Sequence, residues 1–190
     1  MASRADQEAG SATEITKQVN SWPAMLKGLG LAVGVAGLAF FLSGWLPRFV
    51  LWGGYVAVLI AIGYKDFRER RIPNRLVYPA ILVALGAMFH FPGWQSALLG
   101  GAVAALFLAL PVVILGPSRA GVGDVKLALF VGLILGYSYA LYGAMFIAFG
   151  GAALVGLVGI ALRMLTRRSL LPFGVFLAIG TIIMLVLQMI

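Results

Sequence analysis

The chain is 190 residues long, 62% hydrophobic and only 11% charged, with a mean hydropathy of +1.04. A soluble domain carries roughly 45–50% apolar and about 25% charged residues, so a soluble globular enzyme is excluded at the outset. The net charge of +8 would point to nucleic acid on a soluble protein. In so apolar a chain it points instead to the enrichment of lysine and arginine in the cytoplasmic loops of membrane proteins.

Residues 1–24 are polar, rich in Ser, Thr, Ala and Gln, and have no apolar period. They lack the basic start and immediate apolar core of a signal peptide and are read as a mobile cytosolic tail. Beyond them, uncharged runs cover 28–47, 49–64, 76–118, 127–162 and 169–190. A membrane span needs about 20 residues, so the 76–118 run holds two spans, divided at Phe91-Pro92-Gly93. The 127–162 run is read as two, turning near Gly136-Tyr137-Ser138-Tyr139.

The expected fold is therefore an all-α polytopic membrane protein with about seven transmembrane helices. They lie near 27–46, 49–66, 77–91, 95–116, 124–137, 139–162 and 170–190. This arrangement puts every lysine and arginine except Arg48 on one side, with the N-terminus, and that side is the cytoplasm. It accounts for the net charge without nucleic acid. The domain reading is a tail over 1–24, a first span over 25–48 and a membrane core over 49–190. Glycine pairs such as Gly30/Gly34 and Gly132/Gly136 read as close helix packing. Trp22, Trp45, Trp52 and Trp94 read as interface anchors.

There is no cysteine, and His90 is the one histidine. Thiolate metal sites and disulfides are excluded and zinc is disfavoured, so no metal and no cofactor are expected. The acids are Asp6, Glu8, Glu14, Asp66, Glu69 and Asp124, and only the last three lie outside the tail. Asp66 follows the second span and Asp124 opens the fifth, at one membrane boundary. Each has a plainer reading: Asp124 as a helix N-cap, Asp66 as a counter-ion among Lys65, Arg68, Arg70 and Arg71. Together they mark a functional site, because an acid at membrane depth is costly unless it is paired or hydrated.

Two adjacent carboxyls that share one proton can run aspartic-protease chemistry, one activating water while the other polarises the scissile carbonyl. Asp124 lies at a helix start, which favours negative charge, and Asp66 near a helix end, which disfavours it. The sequence thus biases the shared proton toward Asp66.

The same residues carry a family resemblance. Gly121-Val122-Gly123-Asp124-Val125-Lys126-Leu127 resembles the GxGD-V-K-L motif of type IV prepilin peptidases. Asp66-Phe67-Arg68-Glu69-Arg70-Arg71-Ile72-Pro73-Asn74 resembles their first motif, an aspartate, five residues, then Ile/Leu-Pro-Asn/Asp. Leu171-Pro172-Phe173-Gly174-Val175-Phe176-Leu177-Ala178 is similar to their late P-F-G-P-F-L-A segment, with Val175 in place of a frequent proline. The resemblance covers roughly residues 50–190.

It implies a six-helix peptidase core preceded by one extra span, with Asp66 and Asp124 catalytic and no metal. It implies removal of the basic leader from a prepilin or pseudopilin with a single transmembrane helix, at the cytoplasmic face of the inner membrane. Long members carry a methyltransferase region with paired CxxC motifs; this chain has no cysteine, so peptidase activity without N-methylation is expected. The site-shaping residues expected around the aspartates are Gly121, Gly123, Lys126, Pro73, Asn74, Pro172, Phe173 and Gly174. Gly121 and Gly123 are expected to adopt conformations closed to other residues, Pro73 to end the helix after Asp66, and Asn74 to cap the next. Lys126 is expected to face lipid phosphate or Asp124, and Glu69 to partner the nearby arginines. The alternative functions are a membrane proton or ion relay and a non-catalytic pilus-assembly scaffold.

Overall fold

The computed structural model describes residues 28, 30–42, 44, 48–115, 121–163 and 172–188. The tail over 1–24, Trp22, Trp45, Arg119, Arg167, Arg168 and Leu171 lie outside the described residues. Among the described residues the chain is all helical, without strands: α1 (Gly30–Leu42), α2 (Arg48–Glu69), α3 (Asn74–Ala87), α4 (Trp94–Leu115), α5 (Val122–Leu135), α6 (Tyr139–Ala161) and α7 (Phe173–Leu187). Helices α2, α4 and α6 are long and apolar enough to cross a membrane, whereas α1, α3 and α7 are shorter apolar helices.

The 14-residue α5 is the core of the fold. Leu127, Ala128 and every residue from Phe130 to Leu135 are buried in it. A helix that is apolar all round has no face for water and must be surrounded. Here α4 runs along it, α3 and α7 flank it, and α6 touches it; α7 in turn joins α6 to α2. Being enclosed, α5 need not match the bilayer thickness, although 14 residues span only about 21 Å.

Glycine lets α4 and α5 meet backbone to backbone. A Cβ on Gly132 would collide with the Gly100 backbone, and one on Gly100 would lie 2.5 Å from the Gly136 carbonyl carbon. Helix α5 stops at Gly136, whose φ of 67° is the left-handed conformation that ends helices and favours glycine. The Tyr137 N–H then donates to the Ser96 carbonyl at 2.8 Å and to Ser96 Oγ at 2.9 Å, pinning the turn to α4. The break expected between Gly136 and Tyr139 is thus present.

Several expectations are corrected. A Cβ on Gly30 or Gly34 would meet nothing within 4 Å, so that pair does not mediate packing among the described residues. Helix α1 instead meets α3 where Gly86 lies against the Ala36 backbone. Trp52 is not an interface anchor: it is 4% exposed, with the Arg48 guanidinium over its ring at 4.2 Å. Periodicity could not reveal that this face of α2 turns inward. The third helix covers 74–87 rather than 77–91, because the chain already turns through Met88–Pro92.

The α4–α5 contact makes a testable demand. Gly132→Val should lower the apparent Tm in detergent by several degrees, since overpacking costs about 1–3 kcal/mol. Gly150→Ala, where a Cβ meets nothing within 4 Å, should leave Tm unchanged or raise it.

Candidate active site

Asp66 stands in the last turn of α2 and Asp124 in the first turn of α5. The end of α2 is closed by the Arg70 N–H, which donates to the Asp66 carbonyl at 2.9 Å. Arg70 itself has a φ of 50°, a left-handed conformation that costs a non-glycine residue about 1–2 kcal/mol. Arg71, Ile72 and Pro73 then lead into α3, with Pro73 extended at its N-cap position. Helix α2 ends at Glu69, ahead of Pro73, as expected.

The two aspartates line one open cavity of about 360 Å³, together with Arg70, Arg71, Ile72, Asn74, residues 121–123 and Lys126. They are close enough to interact electrostatically. Asp66 is 5% exposed, and its Oδ2 has no hydrogen-bond partner among the described residues. Asp124 is half-buried. Neither plainer reading holds. Asp66 is buried and forms no ion pair among the described residues, so it is no surface counter-ion. Gly121, not Asp124, occupies the N-cap of α5.

Three glycines set the shape of this cavity, by absence of bulk rather than by unusual backbone. Gly121 has φ −70° and ψ 110°, open to any residue, and Gly123 is not among the positive-φ glycines. This corrects the conformational role expected for both. A Cβ on Gly121 would lie 2.6 Å from Asp124 Oδ2, and one on Gly123 would lie 3.0 Å from Ile72 Cβ. A Cβ on Gly174 would lie 2.7 Å from Asp66 Oδ2 and 3.1 Å from Ile72 Cδ1. Ile72 is therefore the apolar piece wedged between Gly123 of α5 and Gly174 of α7.

The third motif supplies the α7 side. Pro172 takes the N-cap position, and the Phe173 ring packs on Phe149 of α6 at 4.9 Å. This pairing seats the start of α7, and with it Gly174, against Asp66. Asn74 does not cap α3: it is the first helical residue, and no side chain caps that end. Its Oδ1 instead accepts a hydrogen bond from Lys126 Nζ at 3.1 Å. Lys126 also lies 4.9 Å from the Tyr78 ring centre, so α3 holds it and it makes no ion pair with Asp124. Glu69 pairs with Lys65 at 3.6 Å rather than with an arginine.

Sequence reasoning missed the cavity positions of Arg70, Arg71 and Ile72. The arginines read from sequence as topological charge and as the counter-ion cluster of Asp66 and Glu69, and Ile72 as motif spacing. Chemically, the cavity offers two interacting carboxyls, a basic rim and space for several water molecules. Among the described residues, no three His, Cys, Asp or Glu side chains converge.

A model of the type IV leader peptidase family matches residues 53–189. The prepilin leader peptidase/N-methyltransferase of Bacillus subtilis (strain 168) is 30% identical over 131 residues, covering 68% of this chain and 52% of that protein. The chain thus spans about half the length of the curated relative it matches. No solved structure gives a significant match.

The absence of cysteine gives a clean probe of the cavity. In detergent, Val122→Cys, at a cavity position 45% exposed, should react with a maleimide; Leu127→Cys, at a position 0% exposed, should be protected by about tenfold or more. Equal rates would show that the cavity is closed or α5 loosely packed.

Proposed function

The chain belongs to the type IV leader peptidase family, and from that premise we propose that it is a membrane aspartic endopeptidase acting on prepilin-like substrates. The observation that carries this reading is the placement of Asp66 and Asp124 in one water-accessible cavity at the ends of apolar helices. One carboxylate removes a proton from a water, whose oxygen attacks the carbonyl carbon of the scissile peptide. The protonated partner donates to the carbonyl oxygen. As the tetrahedral intermediate collapses, the C–N bond breaks and the leaving nitrogen takes a proton.

The finer elements of the proposal follow the charge. Lys65, Arg68, Arg70, Arg71, Arg75 and Lys126 cluster in sequence around the two aspartates, and the cytoplasmic bias of such residues puts this end of a seven-span protein in the cytoplasm of the inner membrane. The substrate is a prepilin or pseudopilin whose single apolar helix lies in the bilayer and whose basic leader emerges at the cytoplasmic surface. The junction between them must leave the helical state at the cavity, since helical peptide bonds are shielded. N-methylation is not part of the proposal, because these 190 residues contain no cysteine and so no CxxC pair.

The test is co-expression with a candidate prepilin, reading leader removal as a gel shift. Asp66→Asn and Asp124→Asn, made singly, should each insert normally and lower cleavage by about 10²–10⁴-fold or more. Full cleavage by both variants would overturn the proposal. A relay or scaffold would leave the leader uncut even with the unaltered chain.

A further inference from the structure

Helices α2 and α3 touch only lightly and leave a groove of about 350 Å³ between them. Each helix lines it with one stripe at the spacing i, i+1, i+4, i+5 and i+8, from Val50 to Val58 on α2 and from Arg75 to Val83 on α3. Such positions share a helix face, and their eight-residue reach makes the groove about 12 Å long. The lining is apolar except for two groups. Tyr55 is 5% exposed, with its ring edge-on to Phe130 of α5 at 5.7 Å. Its hydroxyl makes no hydrogen bond among the described residues and is not sealed off, so it opens into the groove that the residue lines. A buried tyrosine O–H normally has a partner. Arg75 is exposed, and its guanidinium has no ion pair or hydrogen bond among the described residues. No acid lines the groove.

We propose that this groove is a binding site for an anionic phospholipid. The Arg75 guanidinium donates to the phosphate, the Tyr55 hydroxyl donates to an ester oxygen of the glycerol, and one acyl chain lies along the apolar stripes. The occupant follows from charge and size. A guanidinium matches a phosphate in charge and in the geometry of its donors. A zwitterionic headgroup brings an ammonium for which the groove holds no acid. The basic leader of a prepilin and the start of its helix are both positive, so Arg75 disfavours them. A transmembrane helix is also about 10–12 Å across, too thick for this space, whereas a hydrocarbon chain is slim enough. Other cations nearby are already engaged: Lys65 pairs with Glu69, Arg68 donates to the Tyr64 hydroxyl at 3.0 Å and Lys126 donates to Asn74. Arg75 directly follows Asn74, which lines the aspartate cavity, so the bound lipid borders that cavity. The site itself does not depend on the peptidase reading.

The experiment places the full chain in nanodiscs of equal parts phosphatidylglycerol and phosphatidylcholine with identical acyl chains, and weighs the released protein with its retained lipid by native mass spectrometry. The unaltered chain should retain phosphatidylglycerol over phosphatidylcholine by about fivefold or more. Arg75→Gln should bring that ratio close to one. Arg68→Gln removes the same charge outside the groove and should keep the native ratio. Tyr55→Phe should lower retention of both lipids by about twofold or more. Gly54→Leu fills the groove and should lower retention of both by about tenfold; a Cβ there meets nothing within 4 Å, and leucine favours the helix, so this variant folds. No preference in the unaltered chain, an equal loss in Arg68→Gln and Arg75→Gln, or native retention in Gly54→Leu or Tyr55→Phe overturns the proposal. If Gly54→Leu keeps its lipid but raises KM for a prepilin, the groove takes the substrate helix and the proposal is likewise overturned. Asp66→Asn and Asp124→Asn should retain lipid as the unaltered chain does, whatever they do to cleavage, so failure of this proposal and failure of the peptidase reading are told apart.

Discussion

A carboxyl group removed from water must be protonated, paired or met by fixed donors, because the cost of leaving it bare is several kcal/mol. Asp66 is 5% exposed and forms no ion pair among the described residues. The fold brings it instead to a second carboxyl and to the start of another helix, from parts of the chain far apart in sequence. The cavity, the close glycine contacts and the seating of α7 on α6 all serve that juxtaposition. The same constraint underlies the proposed chemistry, in which two interacting acids that resist double ionisation share one proton and activate water.

The glycines around the site work by lacking a side chain. Gly121, Gly123 and Gly174 each leave a space that the neighbouring Asp124, Ile72 or Asp66 already fills. Deeper in the fold, Gly100 and Gly132 let α4 press against α5, which fixes the axis on which Asp124 is carried. Apolar burial drives little helix association in lipid, so such close backbone contacts bear much of the work of assembly. Position 124 is therefore held by contacts made well below the cavity.

Much of this was legible in the sequence. The apolar runs and their breaks gave the helices to within a few residues, including the turn at Gly136 that divides a long uncharged stretch. The scarcity of acids singled out Asp66 and Asp124. What the sequence could not show was which face of each helix turns inward: Trp52 reads as an anchor yet is buried, and Gly30 and Gly34 read as a packing motif yet meet nothing within 4 Å among the described residues. Nor could it show which distant helix start meets Asp66. The partner of Lys126 was also not legible: read as facing lipid phosphate or Asp124, it is held by Asn74 and Tyr78 of another helix.

The central claim, that Asp66 and Asp124 meet in one cavity, can be measured without any substrate. The chain has no cysteine, so the double variant Asp66→Cys/Asp124→Cys carries two thiols and no others. A short bis-maleimide, which adds one thiol at each end, should link them within one folded chain, giving a single intramolecular adduct by mass that neither single variant forms. Two separate mono-adducts, with no internal link in the folded protein, would contradict the account.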